Sequence, residues 1–246
     1  LGIGDWGLGI GPLIYFALPN KSLLHLGRTK LYGGALLKSA TNGASEFLTH
    51  ISMSLVGMVY NFQLLRLAGV AGVIAYGVIS YVNFIFLAAF LGYGVGSNPI
   101  VGYHFGAGNK SELHNMWHKS LVLTAIGGII MTILAELGAP AITAVFIRQD
   151  EMLSTMTVNG FQIYALSFLL AGFNIYASAF FTALNNGLVS AVISFCRTMI
   201  FECLCVMILP IYFGLNGIWA AISVAECLAL IISVTFFIKM RKRYGY

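Results

Sequence analysis

Apolar residues run along this chain in long blocks, separated by short polar or glycine-rich clusters. The blocks cover residues 36–67, 73–99 (continuing to about 105), 120–137, 152–184, 188–212 and 218–238. A helix needs roughly 20 apolar residues to cross a hydrocarbon core about 30 Å thick. A membrane barrel would instead show segments of roughly 10 residues that alternate in polarity. The separators are helix breakers or polar turns: 68–72, Gly106 to Lys110, Gly138 with Pro140, Asn185 to Gly187, and Gly214 to Gly217. The pattern predicts an all-α integral membrane protein, with six spans in one bundle and no soluble domain boundary. Ahead of the bundle, 8–19 is a short apolar stretch that reads as a partial helix, and 20–30 is a polar loop.

Composition narrows the function classes. The chain is 59% apolar and only 9% charged, against about 25% charged in ordinary soluble domains. Its net charge of +5 sits at the ends of apolar runs, not in a basic groove with interleaved aromatics, so nucleic acid is not an expected partner. If alternate connections lie on one side, that side holds Lys21, Arg28, Lys30, Lys38, Lys110, Lys119, Lys239, Arg241, Lys242 and Arg243. The other holds Arg66 and Arg148. The positive-inside rule places the basic side, and with it the C-terminus, in the cytoplasm of a multi-pass membrane protein. Cys196, Cys203, Cys205 and Cys227 fall inside spans and read as apolar fillers. Leu1 opens a glycine-punctuated stretch like the tail of an interrupted span, so a fragment is expected.

Charges inside the spans are the candidate chemistry. A carboxylate at the bilayer centre costs roughly 3 kcal/mol on insertion scales. Glu46 lies within the first span, on a polar stripe with Asn42, Ser45, Thr49 and Ser52, and His50 follows it at i+4. The residue can exchange a proton, or its carboxylate and neighbouring oxygens can hold Na⁺; both remain open. Glu202 and Glu226 lie in the fifth and sixth spans, and Arg197 is expected to pair with an acid across helices. Its i+5 spacing to Glu202 suits no regular intrahelical pair. Pro99, with Gly96 and Gly102, is expected to bend the second span, and Gly92/Gly96 and Gly102/Gly106 have close-packing spacing. Gln162 and Asn174 are amides inside spans that either line an aqueous cavity or bond across helices. His114 and His118 with Glu112 form a solvated segment, and no metal site, cofactor or catalytic set is expected.

The run Gly43-Ala-Ser-Glu-Phe-Leu-Thr and the run Leu91-Gly-Tyr-Gly-Val-Gly-Ser-Asn-Pro-Ile-Val-Gly-Tyr-His-Phe-Gly-Ala-Gly-Asn resemble the C-terminal lobe of a multidrug and toxic compound extrusion (MATE) transporter. So do the runs 172–187, 190–197 and 217–226. The bacterial MepA/DinF-like branch is the most similar in character. That resemblance implies two six-helix lobes around a cavity that opens alternately to either side. It also implies export of cationic or amphipathic compounds against inflowing Na⁺ or H⁺, and a partner N-terminal lobe missing from this chain. Residues 1–32 would then be the end of the sixth helix with the inter-lobe loop, and 33–246 the second lobe. Glu46 matches the acidic position in helix seven of many relatives; the acid some carry in helix ten has no counterpart, Ala171 standing near that point. Competing expectations are a lipid-linked saccharide flippase of related fold and an inactive half-transporter. A membrane-embedded enzyme would need a convergent acid/His cluster, and none is visible.

Overall fold

The computed structural model describes Tyr15, Leu18 and residues 32–246; the side chains of Ala35, Thr41, Asn42, Ser45, Glu46, Leu48 and Thr49 lie outside the description. The expected partial helix and loop in 1–32 fall outside the described residues apart from Tyr15, Leu18 and Tyr32. The chain divides into two compact units, Leu1–Leu37 and Lys38–Tyr246, and the second is the bundle.

Helix α1 runs Gly33–Gly106 over 74 residues. A straight helix of that length would reach about 110 Å, several membranes thick. It is broken at Gly69, where φ 62° and ψ −154° form a conformation that glycine alone adopts cheaply. Tyr60 and Tyr76 show that the chain doubles back there. Sixteen residues of straight helix would part them by roughly 24 Å, yet their rings stack at 4.6 Å. Gly214 (φ 57°, ψ −137°) breaks helix α6, Glu202–Tyr244, in the same way.

Between these lie α2 (Lys110–Phe146), α3 (Glu151–Ala165), α4 (Phe168–Ala183) and α5 (Gly187–Phe195), with a π-helical turn over Cys196–Phe201 joining α5 to α6. Helices α3 and α4 bend by 47° and together make one span. Counting the two arms of α1, α2, the α3–α4 pair, α5 with the first arm of α6, and the second arm of α6 gives the six predicted spans. Large apolar side chains such as Phe62, Tyr81, Ile129 and Ile211 are exposed around the bundle, as lipid-facing positions are in a protein whose backbone must be satisfied internally.

Two local expectations are corrected. The third span does not stop at Gly138 and Pro140: α2 carries Pro140 inside it and continues to Phe146. Proline is tolerated there because a packed membrane helix can re-satisfy the single freed carbonyl. The segment with Glu112, His114 and His118 is the opening of α2, not a separate connection. Its start is set by Asn109, whose Oδ1 accepts from the Glu112 N–H at 3.2 Å, an ordinary N-cap.

The break between α3 and α4 leaves the Ala165 carbonyl without its helical donor. The Thr132 hydroxyl of α2 donates to it at 3.3 Å. One turn earlier, Gly128 lets α2 lie against the bend: a Cβ there would meet the Phe168 carbonyl oxygen at 2.9 Å and the Leu169 Cα at 3.2 Å. Those are backbone atoms that cannot swing aside. Gly128→Ala is therefore expected to destabilise the bundle by about 1–3 kcal/mol, the usual cost of overpacking. Gly127→Ala meets only the Phe90 ring edge, at 3.3 Å, and should cost less. Thermal unfolding of the two purified variants checks the order. The close-packing glycine of the second span is Gly94, whose Cβ position is 3.1 Å from Ala179 Cβ; Gly96 has open space around it.

The Gly106–Lys110 turn, the Asn185–Asn186 turn and the C-terminus meet at one end of the bundle. Phe105 sits edge-on to Tyr244 at 5.6 Å, and Asn186 Nδ2 donates to Tyr244 Oη at 3.0 Å. The basic segments around Lys110 and 239–243 therefore gather at one end of the bundle. One apolar cluster around Tyr60, Phe161, Trp219 and Ile222 fills the other half of the bundle. A second, around Tyr176, Phe180, Phe237 and Tyr244, fills this half.

Candidate functional site: a charged cavity inside the bundle

The buried polar network of the interior is assembled from residues of these two halves. Glu226 lies twelve residues beyond the Gly214 break, so roughly 18 Å along its arm and near mid-depth in a core about 30 Å thick. Its carboxylate Oε1 receives both Nε (2.8 Å) and Nη2 (2.7 Å) of Arg197. Its Oε2 receives Asn174 Nδ2 at 2.7 Å, and the same nitrogen donates to the Glu226 carbonyl at 3.0 Å. Ser233 Oγ donates in turn to Asn174 Oδ1 at 2.8 Å. Asn174 and Ser233 are fully buried and Glu226 is 3% exposed. Arg197 and Glu226 thus form a buried ion pair.

Beside this network lies a cavity of about 210 Å³. Tyr76, Ser80 and Asn83 of the second arm of α1 line it, with Tyr164 of α3, Arg197 of the π-turn and Glu202 of α6. The π-turn explains how Arg197 and Glu202 come to share it. In a regular α-helix residues five apart point about 140° away from each other, which is why the i+5 spacing looked unsuitable for a pair. The wider turn over Cys196–Phe201 adds a residue to the repeat and brings both side chains to the cavity. Single π-turns of this kind often sit at functional positions.

Glu202 has no hydrogen bond or ion pair among the described residues. Arg197 spends its Nε and Nη2 on Glu226. Asn83 is 9% exposed, and its side-chain oxygen has no hydrogen-bond partner among the described residues. Such an orphan acceptor costs on the order of 1–3 kcal/mol when buried. The arrangement therefore sets a carboxylate and an amide with an unused carbonyl oxygen along one partly open cavity. It also carries one guanidinium against two carboxylates, an excess of one negative charge with all three ionised.

Of the residues singled out from sequence, Arg197, Glu202, Glu226 and Asn174 are brought together here. The side chains of Glu46, Asn42 and Thr49 lie outside the described residues, so their surroundings are not part of the site's geometry. Gln162 is partly buried on α3 and does not line this cavity. Pro99 and Gly102 sit in an arm that stays helical from 70 to 106. Tyr76, Ser80, Asn83 and Tyr164 were not singled out. The first three had a legible signal: positions 76, 80, 83, 87 and 91 share one helical face, and all five line the cavity.

The family model MatE matches residues 47–208, and the chain belongs to that family, whose members are transporters. Solved structures agree on the fold. A MATE protein in complex with MaL6 superposes with a TM-score of 0.80 at 17% identity, covering 92% of this chain and 51% of that one. The outward-facing form of a multidrug resistance MATE family transporter of the MOP superfamily gives 0.79 at 18% identity, covering 92% and 50%. The inward-facing form of such a transporter gives 0.75 at 17% identity, covering 97% and 54%. The chain thus spans about half the length of the structures it matches. No curated protein matches it.

Proposed function

We propose that this chain is one lobe of a cation-coupled exporter that works by alternating access with a second six-helix lobe. It would move cationic or amphipathic organic compounds out across the cell membrane, the basic end of the bundle and the C-terminus facing the cytoplasm. The observation that supports the reading is the carboxylate of Glu202, without a hydrogen bond or ion pair among the described residues, in a partly open, partly polar cavity. Two acids and one guanidinium in a low-dielectric bundle are neutral only with one additional positive charge, and an unbalanced charge there costs several kcal/mol. A proton or Na⁺ taken up beside Glu202 supplies that charge, and Asn83 Oδ1 gives such an ion, or a protonated carboxyl, an unused acceptor. Discharging the site from one face and recharging it from the other would couple an ion gradient to the two conformations. Relatives solved in outward- and inward-facing forms support two such states.

Glu46, with Asn42 and Thr49, remains the second candidate site for ion or substrate, on the strength of its place in the first span. The test is transport of a cationic dye from cells carrying the complete gene. An imposed Na⁺ gradient at constant pH should drive it, or else an imposed proton gradient in Na⁺-free medium. Efflux that responds to neither gradient overturns the reading. If Glu46→Gln exports at the wild-type rate, Glu46 has no part in it.

A further inference from the structure

A second cavity, of about 110 Å³, opens at the basic end of the bundle. His104 from the end of α1, Asn109 and Lys110 from the start of α2, and Arg243 and Tyr244 from the end of α6 line it. Among the described residues no acid lines it, and neither Lys110 nor Arg243 has a carboxylate within salt-bridge distance. The nearest acid in sequence, Glu112, is engaged by the Asn115 side chain at 3.2 Å. His104 Nδ1 is buried without a hydrogen-bond partner. This is the opposite imbalance to that around Glu202: two positively charged side chains and a histidine line one space.

The cations are also held in place. The Arg243 guanidinium lies 5.5 Å over the Tyr244 ring. That ring is fixed from behind by Asn186 at its hydroxyl and Phe105 at its edge. The Lys110 stem lies on Gly245, where a Cβ would come within 2.6 Å of Lys110 Cδ. Gly245 has φ 78°, a backbone conformation that favours glycine, and a Cβ there would push the Lys110 stem aside.

We propose that this cavity binds the phosphate of an anionic lipid headgroup. It sits where three long apolar helices end, and basic pockets between such helix ends are suited to lipid phosphates. Lys110 and Arg243 would contact the phosphate oxygens. Lys239, Arg241 and Lys242 add a general attraction to the same leaflet.

The test uses the purified full chain in detergent, titrated with phosphatidylglycerol, with phosphatidylcholine and with inorganic phosphate, and read by native mass spectrometry and thermal shift. Wild type should bind phosphatidylglycerol in preference to phosphatidylcholine. Lys110→Gln/Arg243→Gln should lose on the order of tenfold in phosphatidylglycerol affinity, two charges near a surface being worth about that or more. Gly245→Ala, which removes no charge but displaces Lys110, should lose part of it. Lys239→Gln/Lys242→Gln should lose less than about threefold. Equal losses in the two double variants would mean a diffuse charge effect and overturn the proposal, as would unchanged affinity in the Lys110/Arg243 variant. Phosphatidylglycerol binding that millimolar inorganic phosphate abolishes would make the site one for the free anion instead.

Discussion

Glu202→Gln is expected to uncouple transport from the ion gradient while leaving the bundle folded. The amide keeps the shape of the side chain and removes the excess negative charge. An interaction with an ionised group is worth about 1.5–3 kcal/mol, so affinity for the coupling cation should fall roughly tenfold to a hundredfold. Gradient-driven dye efflux should fall with it. Glu202→Asp keeps the charge and should retain partial coupling. Asn83→Leu removes one neutral acceptor, and its effect on cation affinity should be smaller than that of Glu202→Gln. Stability should move the other way: deleting an uncompensated charge in a cavity relieves a cost, so thermal unfolding of Glu202→Gln should occur at or above the wild-type temperature. A variant that unfolds earlier yet exports normally would show that Glu202 is a structural residue and end the assignment.

Much of the architecture could be read from residue order, and the reasons are physical. A span must be long and apolar, and what interrupts it must be glycine, proline or a polar cluster, so the six spans and the turns at Gly69 and Gly214 stand out. The errors came where a breaker is overruled by packing. Pro140 and Gly138 look like a stop, but α2 is held on both sides of them and continues. The bend between α3 and α4 leaves no proline or glycine in 165–168 to announce it; it depends on Thr132 reaching Ala165 and on Gly128 allowing the approach, both on another helix.

The site was partly legible for a similar reason. Arg197, Glu202, Glu226 and Asn174 are conspicuous because polar groups in membrane spans are costly. That Arg197 chooses Glu226, twenty-nine positions away, depends on the reversal at Gly214. That Glu202 joins it at the same cavity depends on a π-turn that the run Cys196–Phe201 does not advertise. The placement of Asn83 on a shared face with Tyr76 and Ser80 is legible in the spacing, but its unmatched oxygen is a property of the packed structure.

The charge count makes the Arg197–Glu226 pair a second decisive test, because the three possible variants leave different totals. Arg197→Met leaves Glu226 buried with no cation and two carboxylates unopposed. Breaking a buried pair in this way costs about 3–5 kcal/mol, and this variant should be the least stable of the series. Glu226→Gln leaves Arg197 facing Glu202 across the cavity, with no net charge, and the amide oxygen can still accept from Asn174. It should therefore be distinctly milder, although it removes the same ion pair. Arg197→Met/Glu226→Gln returns the total to the wild-type excess of one negative charge, and should recover most of what Arg197→Met lost. The interaction energy of the cycle would then be well outside the roughly 0.5 kcal/mol seen for independent sites. The same variants bear on coupling. In Glu226→Gln the guanidinium is free to neutralise Glu202, so the site no longer requires a cation. Gradient-driven efflux should be lost in a well-folded protein whose Glu202 is intact. If Glu226→Gln and Arg197→Met are equally unstable, the charge balance does not govern this interior. If Glu226→Gln transports normally, the cation is taken up somewhere other than Glu202.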